Sequence, residues 1–450
     1  MEPKTYYHFN NSQDIVHRQT QFSLFKRVLN IVFSLEFDNG FDKKIMTEAF
    51  EKLYERNDCL RITMVKKDKQ MMQYFEDERH VGKIPEKVFR TPGEMDKFIR
   101  CFRRKPTNLY KGDALRVVYG VNPDGKQIIL CKVSHYVADT YGIGVLVNDL
   151  LGVYQALAEG KELPPVPGSF ETLIRQDNEF RGNTEAVEKD REYFKEYFTV
   201  KHAVRPIYCG LHGNACDNWV ALKSKGKVSV PYVFVKCDTE GFRFVLPAAV
   251  TKLVKPWCEK TGIGFNTFFF YTFGIACSLR NDKAPRMLPL ELLNCRGTVA
   301  ERKAAGTKVQ SMAVCLEVDY AKSFNENIAL LDAEQKDLYR HTRLSYLEVQ
   351  ALHTKVYNFS MLSQMYNYTF SYIPISFPKG VHMQVHSNGK GALIAYVAMM
   401  HDVVSDEINV VYDIQTRMIS PAQLMEFQNT WVQVIQAVVA DPDKPLGEVF

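Results

Sequence analysis

The sequence predicts an α/β protein whose chain runs through two halves of the same rhythm, residues 1–165 and 166–450. Three features carry this expectation. The first half opens strand, helix, strand and closes on an apolar strand, a polar turn and a helix within residues 127–157. A proline-rich break follows, Leu163-Pro164-Pro165-Val166-Pro167-Gly168. After Gly241 the alternation of strand and apolar helix begins again.

Residues 27–37 (RVLNIVFSLEF) read as a strand, rich in β-branched and aromatic side chains. Asn39-Gly40 turns the chain, and Asp42 can cap a helix whose apolar residues Ile45, Met46, Ala49, Phe50, Leu53 and Tyr54 share one face. Residues 60–65 form the next strand, and residues 114–120 pair with 127–133 across the Asn122-Pro123-Asp124-Gly125 turn. From Ile143 onward Leu146, Leu150, Val153 and Leu157 recur at helical spacing, and Gly160 ends the helix.

Beyond the break, residues 184–197 form a charged helix, and the polar, Gly-rich stretch 204–227 is expected to be a mobile loop. Residues 241–246 read as a strand, and Pro256 should kink or shorten a helix at 248–260 because it cannot donate a backbone hydrogen bond. Asn266 can cap the strongly apolar helix 267–279, which must be buried. Strands are expected at 287–294 and 309–318, helix over most of 324–357, and three further strands near 366–375, 392–399 and 407–414. Ser420 caps a last helix, 421–440.

Composition narrows the function classes. Hydrophobic residues make up 46% and charged residues 24%, enough for ample cores. The net charge is only +5, and basic residues are scattered apart from small clusters such as Arg103-Arg104-Lys105, so no nucleic-acid partner is expected. The same charge allows an acidic partner without implying one. The N-terminus lacks an apolar signal segment, and no later segment reads as long and apolar enough to span a bilayer. The 10 cysteines are spread singly, several inside apolar runs (Cys131, Cys277, Cys315), the pattern of reduced buried thiols in a cytoplasmic protein. No Walker or Rossmann glycine loop is present, and no nucleophile–base–acid triad. Cys209-x-x-His212-x-x-x-Cys216, with Asp217 or His202, could supply zinc ligands, but the spacing fits no strong zinc pattern and no metal site is expected.

The strongest chemical signal lies where the apolar run 127–133 gives way to Ser134, His135 and Asp139. With 11 His in the chain, a His-x-x-x-Asp spacing says little by itself. Its context says more: a strand that ends in a His before a short loop and a helix fixes the imidazole from behind and leaves it facing a cleft. Gly142 and Gly144 let the backbone turn sharply there.

The run SHYVADTYG resembles the His-His-x-x-x-Asp-Gly signature of the thioester-dependent acyltransferases related to chloramphenicol acetyltransferase. That group includes the condensation domains of nonribosomal peptide synthetases and stand-alone alcohol acyltransferases. The likeness extends in colinear order over most of the chain, through LNIVFSLEFDNGFDKKIMTEAFEKLYERNDCLRITMV, LELLNCRGTVAERKAAGTKVQSMAVCLEV and the C-terminal segment INVVYDIQTRMISPAQLMEFQNTWVQVIQAVVADPDKPLGEV. It implies two chloramphenicol-acetyltransferase-like halves forming a pseudo-dimer, with a central tunnel and the His at its middle. Two departures stand out: Ser134 replaces the first His, and Thr140 replaces the Gly.

What the resemblance implies is acyl transfer from a pantetheine thioester, as acyl-CoA or on an acyl carrier protein, to the hydroxyl or amine of a small acceptor. His135 would be the base and Asp139 an organiser of the loop, paired with Arg296 of Asn294-Cys295-Arg296-Gly297 and tying the two halves together. Ser134, Thr140 and Gly142 around the loop, with Ser371 and Tyr372 on a later strand, complete the residues expected to touch substrate. No permanently bound cofactor is expected, and coenzyme A or phosphopantetheine enters as co-substrate. A stand-alone monomer is expected, since no adenylation or carrier segment follows Phe450. The competing class is a docking module in which the His motif has decayed, for which Ser134 and Thr140 are the sequence argument.

Overall fold

A computed structural model describes residues 4–22, 30–215, 222–223, 225–227, 230–231, 238–359, 363–364, 366–387, 389–391 and 393–450. The chain divides into two compact units. The first holds Met1–Thr184, Asn294–Val309 and Ile375–Lys390; the second holds Glu185–Leu293, Gln310–Pro374 and Gly391–Phe450. This differs from a single cut after residue 165. The helix Phe170–Gly182 stays with the first unit because Phe170, Leu173 and Ile174 are buried in its core, and the chain returns to that unit twice more.

The first unit is organised on a five-stranded sheet. Its strands include β1 (Asn30–Phe37), β2 (Leu115–Val121), β3 (Gln127–Ser134) and β4 (Val381–His386), in the order β4-β1-β3-β2 and then the short strand Glu86–Val88. β2 and β3 form the expected antiparallel pair, with Val121 opposite Gln127, and β1 pairs β3 with Asn30 opposite Ser134. The apolar run in β3 does not alternate because both faces of the sheet are covered. Ile129, Cys131 and Val133 pack with α1 (Lys43–Arg56) and α2 (Thr140–Glu159), while Ile128 and Leu130 join Ile99 of the helix Pro92–Arg104. Asp42 caps α1 as expected, accepting from the amides of Lys44 and Ile45. Arg56 at the end of α1 reaches Asp149 of α2 at 2.8 Å, in a buried pair that Asn57 completes.

α2 is long and apolar enough to cross a membrane by length and composition, against the expectation that no segment would be. Its Leu146, Val147, Leu150 and Val153 are buried in the first unit, as in a core helix. The bent pair Ala248–Thr261 and Phe265–Leu279 passes the same test only when taken together.

The second unit carries a six-stranded sheet in the order Gln310–Ala313, Leu290–Leu293, Thr369–Pro374, Ala395–His401, Ile408–Gln415, Thr239–Val245. The helix Phe265–Leu279 is buried along most of its length, and its Phe270 and Phe273 pack edge-on to Phe370. Two details correct the sequence reading. The helix Ala248–Thr261 runs through Pro256 without stopping, because Val254, Trp257 and Cys258 on either side are buried and hold the turn that lacks a hydrogen bond. Asn266 is not the cap of the next helix, whose N-cap is Gly264; its amide instead donates to the Glu291 carboxylate. The last helix, Pro421–Ala440, is capped as expected by Ser420, reciprocally with Gln423.

Candidate active site

β3 ends on Ser134, whose amide bonds the Ala114 carbonyl at 3.0 Å. The chain then coils back on Ser134, whose own carbonyl accepts from Val137 at 2.9 Å and Ala138 at 3.2 Å. His135 and Tyr136 sit on the crest of this turn. Asp139 closes it as the N-cap of α2, its Oδ1 accepting from Gly142 at 2.7 Å, and Thr140 opens the helix. A short polar residue before a helix captures an otherwise unpaired amide, which is why the loop ends at that residue.

Arg296 approaches Asp139 from the segment Asn294–Val309. Its Nη1 lies 3.1 Å from Oδ2 and its Nη2 3.2 Å from Oδ1, a two-pronged pair with both side chains almost wholly buried. The Lys308 amide adds a bond of 2.7 Å to Oδ2. Arg296 also donates to the carbonyls of Asn294 at 3.1 Å and Gly306 at 2.9 Å, and its guanidinium lies 4.8 Å from the centre of the Tyr141 ring. Charges taken out of water stay stable only when opposed and hydrogen-bonded in this way. Arg296 belongs to the first unit together with Asp139, so the pair joins two parts of one unit rather than two halves of the protein.

Two glycines make the approach possible. A Cβ on Gly142 would collide with the Gly306 carbonyl oxygen, and Gly306, at φ +109°, would drive a Cβ into the Phe170 ring. Gly142 therefore fits α2 against the 294–309 segment. Cys295, at φ +48°, holds a left-handed turn directly before Arg296, and Asn294 Oδ1 accepts from the Arg296 amide at 3.1 Å.

His135 is half-buried, with Nδ1 shut off from solvent and making no hydrogen bond of acceptable geometry. Burial pushes its pKa down from 6.5, partly opposed by its own backbone and by the Asp139 charge. The imidazole is therefore neutral, and able to take a proton, at neutral pH. Both Asp139 oxygens are engaged with Arg296, Gly142 and Lys308, so the carboxylate holds the loop and has no hydrogen bond to the ring.

The model of a family described as the Condensation domain matches residues 4–450. The chain belongs to the condensation-domain family. A plipastatin synthase subunit of Bacillus subtilis (strain 168) is 18% identical over 436 residues, which cover 94% of this chain and 16% of that protein. This condensation domain spans 16% or less of the length of the curated relatives it matches. Among solved structures, the condensation domain of the monacolin K polyketide synthase MokA superposes with a TM-score of 0.80 at 13% identity, over 98% of this chain and 99% of that one. The starter condensation domain of rhizomide synthetase, solved as a mutant in complex with C8-CoA, gives a TM-score of 0.80 at 15% identity, over 98% and 97%. These likenesses establish a mixed α/β condensation-domain fold.

The remaining expected site residues belong to the second unit. Ser371 and Tyr372 are neighbours on the strand Thr369–Pro374, so their side chains leave opposite faces of the sheet. Tyr372 lies on the side of Phe265, whose ring it stacks against, and its hydroxyl is 2.6 Å from His401 Nδ1. Ser371, on the other face, is buried and pairs in register with Leu292 and Ala398. The two cannot serve one surface together. Of the residues that could have supplied zinc ligands, Cys216 and Asp217 lie outside the described residues. Burial pushes the Cys209 thiol up to about 12 and His212 down to about 4, and among the described residues no group of three or more His, Cys, Asp or Glu is placed to hold a metal. Cys131 is buried and its thiol is pushed up, which suits a core residue rather than a nucleophile.

The sequence reading missed Gly306, Lys308 and the N-terminal helix Asn11–Phe22, all of which bear on the loop. Gly306 and Lys308 act through backbone atoms, which no side-chain pattern reports. The helix, NSQDIVHRQTQF, has too few apolar residues for a helical stripe.

Proposed function

We propose that this condensation domain transfers an acyl group from a pantetheine thioester, carried by coenzyme A or an acyl carrier protein, to the hydroxyl or amine of a small acceptor. Condensation domains catalyse acyl transfer between thioester-bound substrates, and a related domain was solved with C8-CoA. The observation that carries the reading is the placement of His135 directly after β3, on a loop clamped by the buried Asp139–Arg296 pair, where burial also lowers the pKa of the ring. With Nδ1 enclosed, Nε2 is the nitrogen left to meet a substrate. His135 takes the proton from the acceptor as its oxygen or nitrogen attacks the thioester carbonyl carbon. The carbon–sulfur bond breaks as the tetrahedral intermediate collapses, and the imidazolium returns the proton to the departing thiolate. Ser371, the hydroxyl of the expected pair that faces away from the Tyr372–His401 contact, is the better candidate to touch substrate. The paired halves and tunnel implied by the resemblance, a cytoplasmic location and a monomeric state belong to the same proposal.

The test is thiol release from a panel of acyl-CoA and acyl-carrier thioesters, each with pooled alcohols and amines. The wild type should release thiol, and His135→Ala should lose about 10²–10⁴-fold of that rate while its circular dichroism is unchanged. Equal rates in the two proteins would remove His135 as the base.

A further inference from the structure

The His135 loop is fixed at its two ends from different directions. At the Asp139 end, Arg296 and Lys308 hold the carboxylate. At the other end stands Gln13, wholly buried on the helix Asn11–Phe22, whose Nε2 donates to the Tyr136 carbonyl at 3.0 Å. That carbonyl closes the residue directly after His135. The Gln13 amide is itself locked. It exchanges bonds of 2.7 Å with the Gln73 side-chain amide, and its Oε1 accepts from the Asn10 backbone N–H at 3.0 Å while Asn10 Oδ1 accepts from the Gln13 backbone N–H at 2.8 Å. A wholly buried side-chain amide occupied at both ends cannot rotate without leaving polar groups unpaired, so it acts as a rigid strut.

The same helix touches the loop twice more. One and two turns beyond Gln13, His17 Nδ1 and Thr20 Oγ1 meet the Tyr136 hydroxyl at 3.0 and 3.2 Å. Asn10 donates to the Thr307 carbonyl at 2.8 Å and Ser12 to the Val309 carbonyl at 2.5 Å, on either side of the Lys308 amide that bonds Asp139. One helix end therefore sets both the crest of the loop and the 307–309 segment that anchors its base.

The geometry points to Gln13 as a positioning residue for the acyl transfer: its amide fixes the Tyr136 peptide and, through it, the direction in which the His135 ring faces. Asp139 cannot supply this, since it sits three residues away and its oxygens are engaged elsewhere. The inference rests on His135 being the base, and its test separates the two claims.

The experiment compares wild type, Gln13→Leu and Gln13→Glu in steady-state thioester turnover and in ¹⁵N nuclear magnetic resonance of the imidazoles. The His135 signals are assigned by their absence in His135→Ala. Gln13→Glu keeps the size and an acceptor oxygen but replaces the amide donor to Tyr136 by a carboxylate, and melting temperatures and circular dichroism of both variants establish that each is folded. The expected result is a kcat lower by about 10- to 100-fold with KM for the thioester unchanged, together with displaced His135 ring signals in both variants. Unchanged His135 signals, with any loss explained by a lower melting temperature, would overturn the inference. If no thioester is turned over by the wild type, the acyl-transfer reading is what fails. The ring signals then decide the positioning role alone, displaced signals upholding it and unchanged signals overturning it.

Discussion

Two buried carboxylates, one in each unit, are stabilised in different ways. Asp139 faces a guanidinium and two backbone amides. Glu291, on the strand Leu290–Leu293, is equally buried but meets only neutral donors: the Asn266 amide, the Tyr339 hydroxyl at 2.6 Å and the Gln335 amide at 3.0 Å. Burial pushes the Glu291 pKa up, against the pull of those three donors. Burial of an acid is thus no mark of chemistry. What marks Asp139 is that a full positive charge arrives from a segment 157 residues away and that a neutral histidine lies on the loop the pair holds.

The largest effect is expected at Arg296. Arg296→Ala strands a buried charge and should cost about 3–5 kcal/mol in chemical denaturation, with activity lost alongside. An unchanged midpoint would mean that Asp139 does not depend on it. Gly142→Ala should come next, at about 1–3 kcal/mol, because the added Cβ must push α2 off the Gly306 carbonyl. A variant as stable as wild type would show that this contact gives way freely.

The pH dependence sharpens the contrast. The His135 pKa lies below 6.5, so the acidic limb of the rate profile should fall below that value, and a limb above it would contradict the burial of the ring. Glu291 predicts the smallest effect. Its folded pKa is raised above 4.5, so whatever it contributes to stability is present in acid and is lost as pH rises through the folded value. Glu291→Gln should therefore match wild type in acid and equal or exceed it in melting temperature near neutrality. A variant clearly less stable at neutral pH would show that the charge itself is needed.

Much of this was legible in residue order. The strand–turn–strand of β2 and β3, the Asp42 and Ser420 caps, the buried helix after Gly264 and the His135–Asp139 loop all depend on neighbours within a few positions. Two elements escaped for different reasons. β4, VHMQVH, alternates strictly between apolar and polar residues, the period of a half-buried strand, but it is short and pairs with β1 far back in the chain, whereas the helix Asn11–Phe22 is mostly polar and shows no apolar stripe. Asn266 misled because a residue suited to capping was drawn to a buried carboxylate instead, and Pro256 because tertiary burial outweighed one missing hydrogen bond.

Residue order alone was enough for the mixed α/β class, the family likeness and the candidate residues around His135, since local periodicity and short spacings are written in adjacent positions. The tertiary structure alone decided where the chain divides, that Arg296 works within the first unit, that Ser371 and Tyr372 face opposite ways, and that Gln13 reaches the peptide after His135. Those outcomes depend on contacts between distant segments and on backbone carbonyls, which every residue possesses and no side-chain pattern can announce.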